Sequence, residues 1–195
     1  MPESSPNQKG KATSIATERR IRWDAVAAII ASLVGLLALC VAGYTAHIQR
    51  QQVSAQVWPY LMWASSDTSL EYMWINKGVG PALVKSAQVL VDGKPQRDWK
   101  TVMRSLQIDP RDYEQSTFNG NVMSAGETLE WLKFEDHSDF QMFRDAATRM
   151  KLGFRVCYCS TLGDCWMVDT VQGTRNSPLP VGKCPAVPES IQFHD

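Results

Sequence analysis

The sequence lacks the spacings through which most enzymes announce themselves. It holds no G-x-S-x-G, H-E-x-x-H, G-x-G-x-x-G or P-loop, so it offers no ready serine nucleophile, zinc protease helix, dinucleotide turn or phosphate cradle. There are only three histidines, and no pair of carboxylates stands out as acid and base. Nothing here points to catalysis or to a cofactor. Beyond residue 50 no basic stripe is interleaved with aromatics, which argues against nucleic acid as a partner. No internal repeat is visible. The most consequential absence is of charge: from Ala25 to Ala46, 22 residues pass without one.

That run, AVAAIIASLVGLLALCVAGYTA, would make a helix of roughly 33 Å, enough to cross a hydrocarbon core of about 30 Å. Residues 23–48 therefore read as a transmembrane helix, with the lipid bilayer as the partner of residues 25–46. Arg19, Arg20 and Arg22 crowd its front, whereas only His47 and Arg50 follow closely. The basic end should stay in the cytoplasm, leaving everything after residue 50 outside. A cleavable signal peptide fits less well, because its apolar core usually spans about 7–15 residues and no clean A-x-A site follows. Leu37-Ala38-Leu39-Cys40 has a lipoprotein-like form, but Leu39 is bulky where that motif wants a small residue. Cys40 then reads as a packing thiol within the membrane. Gly35 and Gly43 make no G-x-x-x-G, so helix dimerisation gains no support. Residues 1–22 are polar and rich in breakers, and read as a disordered cytoplasmic tail, too short to hold a kinase or cyclase.

Residues 51–195 suffice for one domain with a core. They carry 14 Lys and Arg against 17 Asp and Glu, and six of the seven tryptophans. Residues 51–175 read as the extracytoplasmic β-rich domain, and 176–195 as a proline-containing tail tied to it. Strands are expected at Gln56–Trp63, Ser69–Asn76, Leu83–Val91 and Thr128–Phe134, with Asp92-Gly93 as a hairpin turn. Pro59 marks the first as an edge or strand start. Asn76-Lys77-Gly78-Val79-Gly80-Pro81-Ala82 reads as a structural turn in which Gly78, Gly80 and Pro81 serve special backbone angles. Trp99, Val102, Met103 and Leu106 share one helical face. Residues 107–127 read as loop. Ser138 with Gln141 has the form of a capping box opening a helix over Phe140, Phe143, Ala147 and Met150. Leu152–Ser160 and Cys165–Val171 form a hairpin. About seven strands and two short helices predict an antiparallel β-sandwich, mainly β and of immunoglobulin-like type, behind one transmembrane helix.

The sharpest local feature is Cys157-Tyr158-Cys159, then Cys165, with Cys184 downstream. Four cysteines in an oxidising compartment imply two disulfides. Cys159 and Cys165 flank a five-residue turn and can face each other, leaving Cys157 for Cys184. Cys157–Cys165 with Cys159–Cys184 remains open as the alternative. Zinc sites usually use C-x2–4-C pairs and thioredoxin-type exchange uses C-x-x-C at a helix start; this pattern is C-x-C on a strand. His137 and Asp139 sit at a helix start where capping or solvation is the plainer role, and the Glu135-Asp136 pair reads as a solvated loop. His194 should be frayed. The tryptophans, if exposed, would form a platform for glycan or peptide, but burial is the default for most.

Taken together, WPYL (58–61), NKGVGPA (76–82), VLVDGKP (89–95), SAGE (124–127) and CYCSTLGDCW (157–166), behind a basic tail and an anchor, resemble small, uncharacterised bacterial inner-membrane proteins with one N-terminal anchor and a periplasmic β-rich domain. The resemblance covers most of residues 20–170. It implies a location and a fold and supplies no activity or catalytic residues. The asparagine–glycine turn and Asp-Gly hairpin are also similar to immunoglobulin-like adhesion modules. The expected function is a membrane-anchored module of the cell envelope that binds or positions another envelope protein or a glycan. The alternative is a membrane-tethered thiol-redox or metal-binding protein working through the cysteine hairpin.

Overall fold

The computed structural model describes residues 13–171 and 177–194, with side chains from Trp23 onward. Two compact units divide near Gln52. The first is most of a single helix, α1 (Thr13–Gln56). Between Trp23 and Gln56 it is long and apolar enough to cross a membrane, and none of its most apolar window is buried. It is longer at both ends than the 23–48 span read from hydropathy. Thr13–Arg22 contains no Gly or Pro, and its three Arg with Ala16 and Glu18 favour a helix enough to offset two Thr and a Ser, so the helix continues upstream of the apolar run. Residues 1–12 of the expected tail lie outside the described residues. At the other end the helix stops three residues before Pro59, which bars its predecessor from α geometry.

The second unit, from Val53, is mainly β. Sheet A runs β1-β2-β7-β5, with β1 (Leu61–Ser66), β2 (Glu71–Asn76), β7 (Thr128–Phe134) and β5 (Tyr113–Gln115). Sheet B runs β10-β9-β8-β3-β4, with β10 (Leu179–Val181), β9 (Cys165–Asp169), β8 (Gly153–Cys159), β3 (Ala82–Val91) and β4 (Lys94–Gln96). Its sixth strand, β6 (Val122–Met123), also pairs with β3. Every pairing is antiparallel. The sandwich-like core between the sheets is aromatic: Trp74, Trp131 and Phe118 are fully buried, with Trp74 stacked on Phe118 at 5.1 Å. Burying rings of this size supplies much of the apolar area a domain of this length has available.

The alternation in β7 explains its strand form, since Leu129 and Trp131 go inward while Thr128 and Glu130 are exposed. The Asp92-Gly93 turn has φ of 47° and 74°, the left-handed pair a two-residue hairpin needs. Helix α2 (Trp99–Ser105) buries Trp99, Val102 and Met103, and Asp98 caps it by accepting from Thr101 N–H. Helix α3 (His137–Arg149) buries Phe140, Phe143 and Ala146.

Four expectations need correction. The segment Gln56–Trp63 is not a strand throughout: α1 runs to Gln56, and β1 starts only at Leu61, after the proline. The loop 107–127 contains β5 and β6. Helix α3 is capped by Asp136 rather than by a Ser138–Gln141 box; the Asp136 carboxylate accepts from Ser138 N–H at 2.7 Å. A carboxylate here also faces the positive end of the helix, which is why it displaces serine. Finally, His194 is not frayed, because its N–H bonds to Arg97 carbonyl at 2.7 Å. Beside it Phe193 is fully buried, 5.3 Å from Trp99 and 5.5 Å from Trp131.

Candidate functional site

Three local constructions hold the residues that the sequence singles out. The first is the cysteine hairpin. Cys159 and Cys165 are direct partners in the β8–β9 ladder, and their side chains join as a disulfide. Cys157, two residues earlier on the same face of β8, joins Cys184 and ties the tail to sheet B. The pairing is therefore Cys159–Cys165 with Cys157–Cys184. The Sγ atoms of Cys159, Cys165 and Cys184 lie within 4.8 Å of one another. A metal needs thiolates as ligands, and sulfurs bonded in disulfides have none to offer.

The second construction surrounds Asn76, which is fully buried. Its Oδ1 accepts from the N–H groups of Tyr60 at 3.1 Å and Gly78 at 3.0 Å. Its Nδ2 donates to the carbonyls of Gly80 at 2.8 Å and of Met123 and Ser124 at 3.1 Å each. One side chain thus joins the segment leading from α1, the Gly78–Gly80 bend and the loop before β7. The two glycines serve space here and not backbone angle, since neither has a positive φ. A Cβ on Gly78 would overlap the backbone of Trp58–Tyr60, and one on Gly80 the backbone of Val57. The special angles expected of this turn are absent; close approach of two backbones replaces them.

The third is an open cleft of about 690 Å³ beside β1. Trp63, Tyr72 and Phe154 line it on the apolar side, with Trp63 stacked on Tyr72 at 5.4 Å and tilted against Phe154 at 4.2 Å. Ser65, Thr148 and Thr170 add hydroxyls, and Arg144 and Lys151 add charge. Arg144 is held by Asp67, Nη1 to Oδ2, at 2.7 Å. Burial pushes the Tyr72 phenol up to about 12, with Arg144 opposing and Asp67 reinforcing the rise. Tyr72 therefore stays neutral at any physiological pH. No sequence signal marked this cleft, because its residues come from β1, β2, α3 and the base of the β8–β9 hairpin.

The His137 and Asp139 pair does not converge. His137 is exposed, while Asp139 is buried and accepts from Arg111 N–H at 3.0 Å. The Arg111 guanidinium reaches Asp136 at 3.1 Å and Asp139 at 3.7 Å, fastening the loop before β5 to the start of α3. Arg111 lies 25 residues upstream in an unpatterned loop, which is why the sequence did not reveal it. Of the tryptophans, Trp74, Trp99 and Trp131 are buried, Trp63 and Trp166 half-buried, and Trp58 exposed.

These features define a mainly β, disulfide-stapled domain following a helix long and apolar enough to span a membrane. No protein-family model, curated protein or solved structure matches the chain.

Proposed function

We propose that this chain is a single-pass membrane protein whose N-terminus is cytoplasmic and whose β domain works outside, as a binding or positioning module for another envelope component. The observation that carries this reading is the pair of disulfides in a domain that follows a 34-residue helix segment whose most apolar window is long enough to cross a membrane and is not buried. Disulfides persist in oxidising compartments, and an apolar helix with no protein cover finds it in lipid. The excess of arginine ahead of the apolar run supports the same orientation. The cleft beside β1 supplies a concave, partly aromatic surface of the size range that ligand sites use. The resemblance to bacterial inner-membrane proteins with a periplasmic domain belongs to this proposal. So does an immunoglobulin-like strand plan, supported by the tryptophan-filled core, although both disulfides involve sheet B and neither crosses to sheet A.

The test is thiol state and topology of the full chain in its membrane, read by alkylation with intact mass, metal analysis, and protease access from each side. Two complete, reduction-resistant disulfides on a domain cleaved only from outside are expected. Free thiols, a stoichiometric metal or a cytoplasmic domain would overturn it.

A second reading draws on one observation, the 3.7 Å approach of Cys159 Sγ to Cys184 Sγ across two different disulfides. In that reading the hairpin exchanges disulfides with a dithiol partner protein. It requires that Cys159–Cys165 be reduced readily by such a partner while the fold persists.

A further inference from the structure

The walls of the cleft beside β1 are tied to one another. Asp92 N–H, in the β3–β4 turn, bonds to the Met150 carbonyl at the end of α3 at 2.9 Å. Thr170 Oγ1, just after β9, accepts from Phe154 N–H of β8 at 2.8 Å. The Arg144–Asp67 pair joins α3 to the β1–β2 turn. The cavity is therefore formed before any occupant arrives, which lowers the ordering cost of binding.

Its polar side chains divide into spent and unspent. Arg144 is held by Asp67, and Thr148 Oγ1 donates to the Arg144 carbonyl at 2.9 Å. Thr170 bonds to both the N–H and the carbonyl of Phe154. Tyr72 is different: it is more than nine-tenths buried, yet its hydroxyl has no hydrogen-bond partner among the described residues. Trp74 Nε1 and Trp99 Nε1 are unbonded and sealed from solvent, whereas this hydroxyl is not sealed. Among neighbouring charges Arg144 acts on it most, and Arg144 lines the cleft, so the hydroxyl end faces that wall. Ser65 Oγ is exposed at the cleft and bonds to no other group among the described residues. Lys151, also exposed there, has no ion pair among them.

Lys151 stands where glycine is the unstrained choice. Leu152 N–H bonds back to the Ala147 carbonyl at 2.8 Å, closing α3 through a residue with φ of 47°. A left-handed residue at a helix end is usually glycine, because a Cβ strains it. Here a lysine takes that position and lends its side chain to the cleft.

The unspent groups are a phenol, a hydroxyl and an ammonium, all able to donate to oxygen. A carboxylate or phosphate ligand would seek the guanidinium fork, which Asp67 already holds. An ion pair with exposed Lys151 alone would be worth little. A cationic ligand would meet Lys151 and no carboxylate lining the cleft. What fits is an uncharged ligand rich in hydroxyl and ether oxygens, with an apolar face for the wall of Trp63, Tyr72 and Phe154. A sugar ring has both.

We propose that this cleft is a saccharide site, taking the end of an uncharged glycan whose oxygens accept from the Tyr72 hydroxyl, Ser65 Oγ and Lys151 Nζ. This inference rests on the reading of the domain as a binding module and names the chemistry of its partner.

The experiment uses the full chain in lipid nanodiscs, with both disulfides verified intact by mass. Maltotriose, cellotriose and the N-acetylglucosamine trimer are titrated by saturation-transfer NMR, against the galacturonic acid trimer and a capped alanine peptide. At least one neutral trimer should bind at millimolar concentration or below, and more tightly than the acidic trimer or the peptide. Tyr72→Phe should weaken that binding about tenfold without lowering the melting temperature, since the hydroxyl makes no bond in the free protein. Lys151→Gly should weaken it too while raising the melting temperature, because glycine relieves the left-handed position. Failure of all the neutral trimers overturns the site, as does binding that neither substitution changes. Tighter binding of the acidic trimer or of the peptide overturns the assignment to an uncharged glycan. Any of these failures with disulfides intact and the domain outside leaves the binding-module reading standing, whereas free thiols or a cytoplasmic domain would remove that reading instead.

Discussion

The sulfur of Cys184 lies 3.7 Å from the sulfur of Cys159, a cysteine to which it is not bonded. Thiol–disulfide exchange requires only that a thiolate reach a disulfide sulfur. If a dithiol reductant opens Cys159–Cys165, the freed Cys159 thiolate attacks Cys184, forming Cys159–Cys184 and releasing Cys157 as a thiolate. Limited reduction followed by alkylation and peptide mapping should therefore find a Cys159–Cys184 link with Cys157 and Cys165 alkylated. Only native links and fully reduced peptides, at every dose, would count against it.

The two native links should differ in worth. By loop-closure entropy, the 27-residue span of Cys157–Cys184 contributes about 3–4 kcal/mol and the 6-residue span of Cys159–Cys165 about 2 kcal/mol. Denaturant unfolding of the Cys157→Ser/Cys184→Ser and Cys159→Ser/Cys165→Ser pairs should reproduce that order. Equal losses would show that loop length does not govern here.

Asn76 should be the most costly polar side chain to remove. Asn76→Ala leaves buried backbone groups of the linker, the bend and the loop before β7 without partners, a loss of about 3 kcal/mol or more. Gly80→Ala should loosen the same junction by collision with Val57. In both variants amide exchange at Tyr60 should accelerate far more than at Trp131. Unchanged exchange at Tyr60 would mean the linker is held by something else.

Stability should vary with pH at both ends. Hydrogen bonds from the Ser138 hydroxyl and N–H, with Arg111, hold the exposed Asp136 below the ordinary aspartate value. Burial opposes the charged form of Asp98, but hydrogen bonds from Thr101 outweigh it and lower that group too. A lowered folded-state value gives stability that is complete above the unfolded value of about 3.9 and lost as pH falls below it. Tyr72, raised to about 12, works the other way: its contribution is complete below about 10 and lost as pH climbs through 12. Urea midpoints measured from pH 2 to 12 should show a plateau between these limits. Asp136→Asn should make the acid limb shallower, leaving the share of Asp98, and Tyr72→Phe the alkaline one, leaving the share of Tyr158, whose phenol burial also pushes up.

Phe193 is expected to matter as much as a central core residue. Phe193→Ala should cost about 3–5 kcal/mol, because the ring lies between Trp99 and Trp131 with no solvent exposure. A melting temperature within a few degrees of the parent would show that the ring is dispensable.

What was legible in the sequence follows from how local each signal was. The apolar run, the Asp92-Gly93 turn, β3, β7 and the cysteine hairpin are each specified by neighbours in the chain. The Cys159–Cys165 link could be anticipated because a short turn leaves those two residues little choice. Asn76, Arg111, Phe193 and the β1 cleft were not legible, since each acts on residues far away in sequence. The motif around Gly78 and Gly80 was visible, but its cause was not: composition marks a glycine pair without saying whether angle or space demands it.

The burial of Phe193 also sets an order of events. A chain delivered from its N-terminus cannot close this core until residue 193 arrives, by which time all four domain cysteines have already been delivered. Oxidation before that moment would act on an incomplete sandwich, with Cys184 free to find either cysteine of β8. One segment thus carries both a covalent and an aromatic fastener, Cys184 to Cys157 and Phe193 to Trp99 and Trp131, so docking of the ring holds Cys184 beside its own partner.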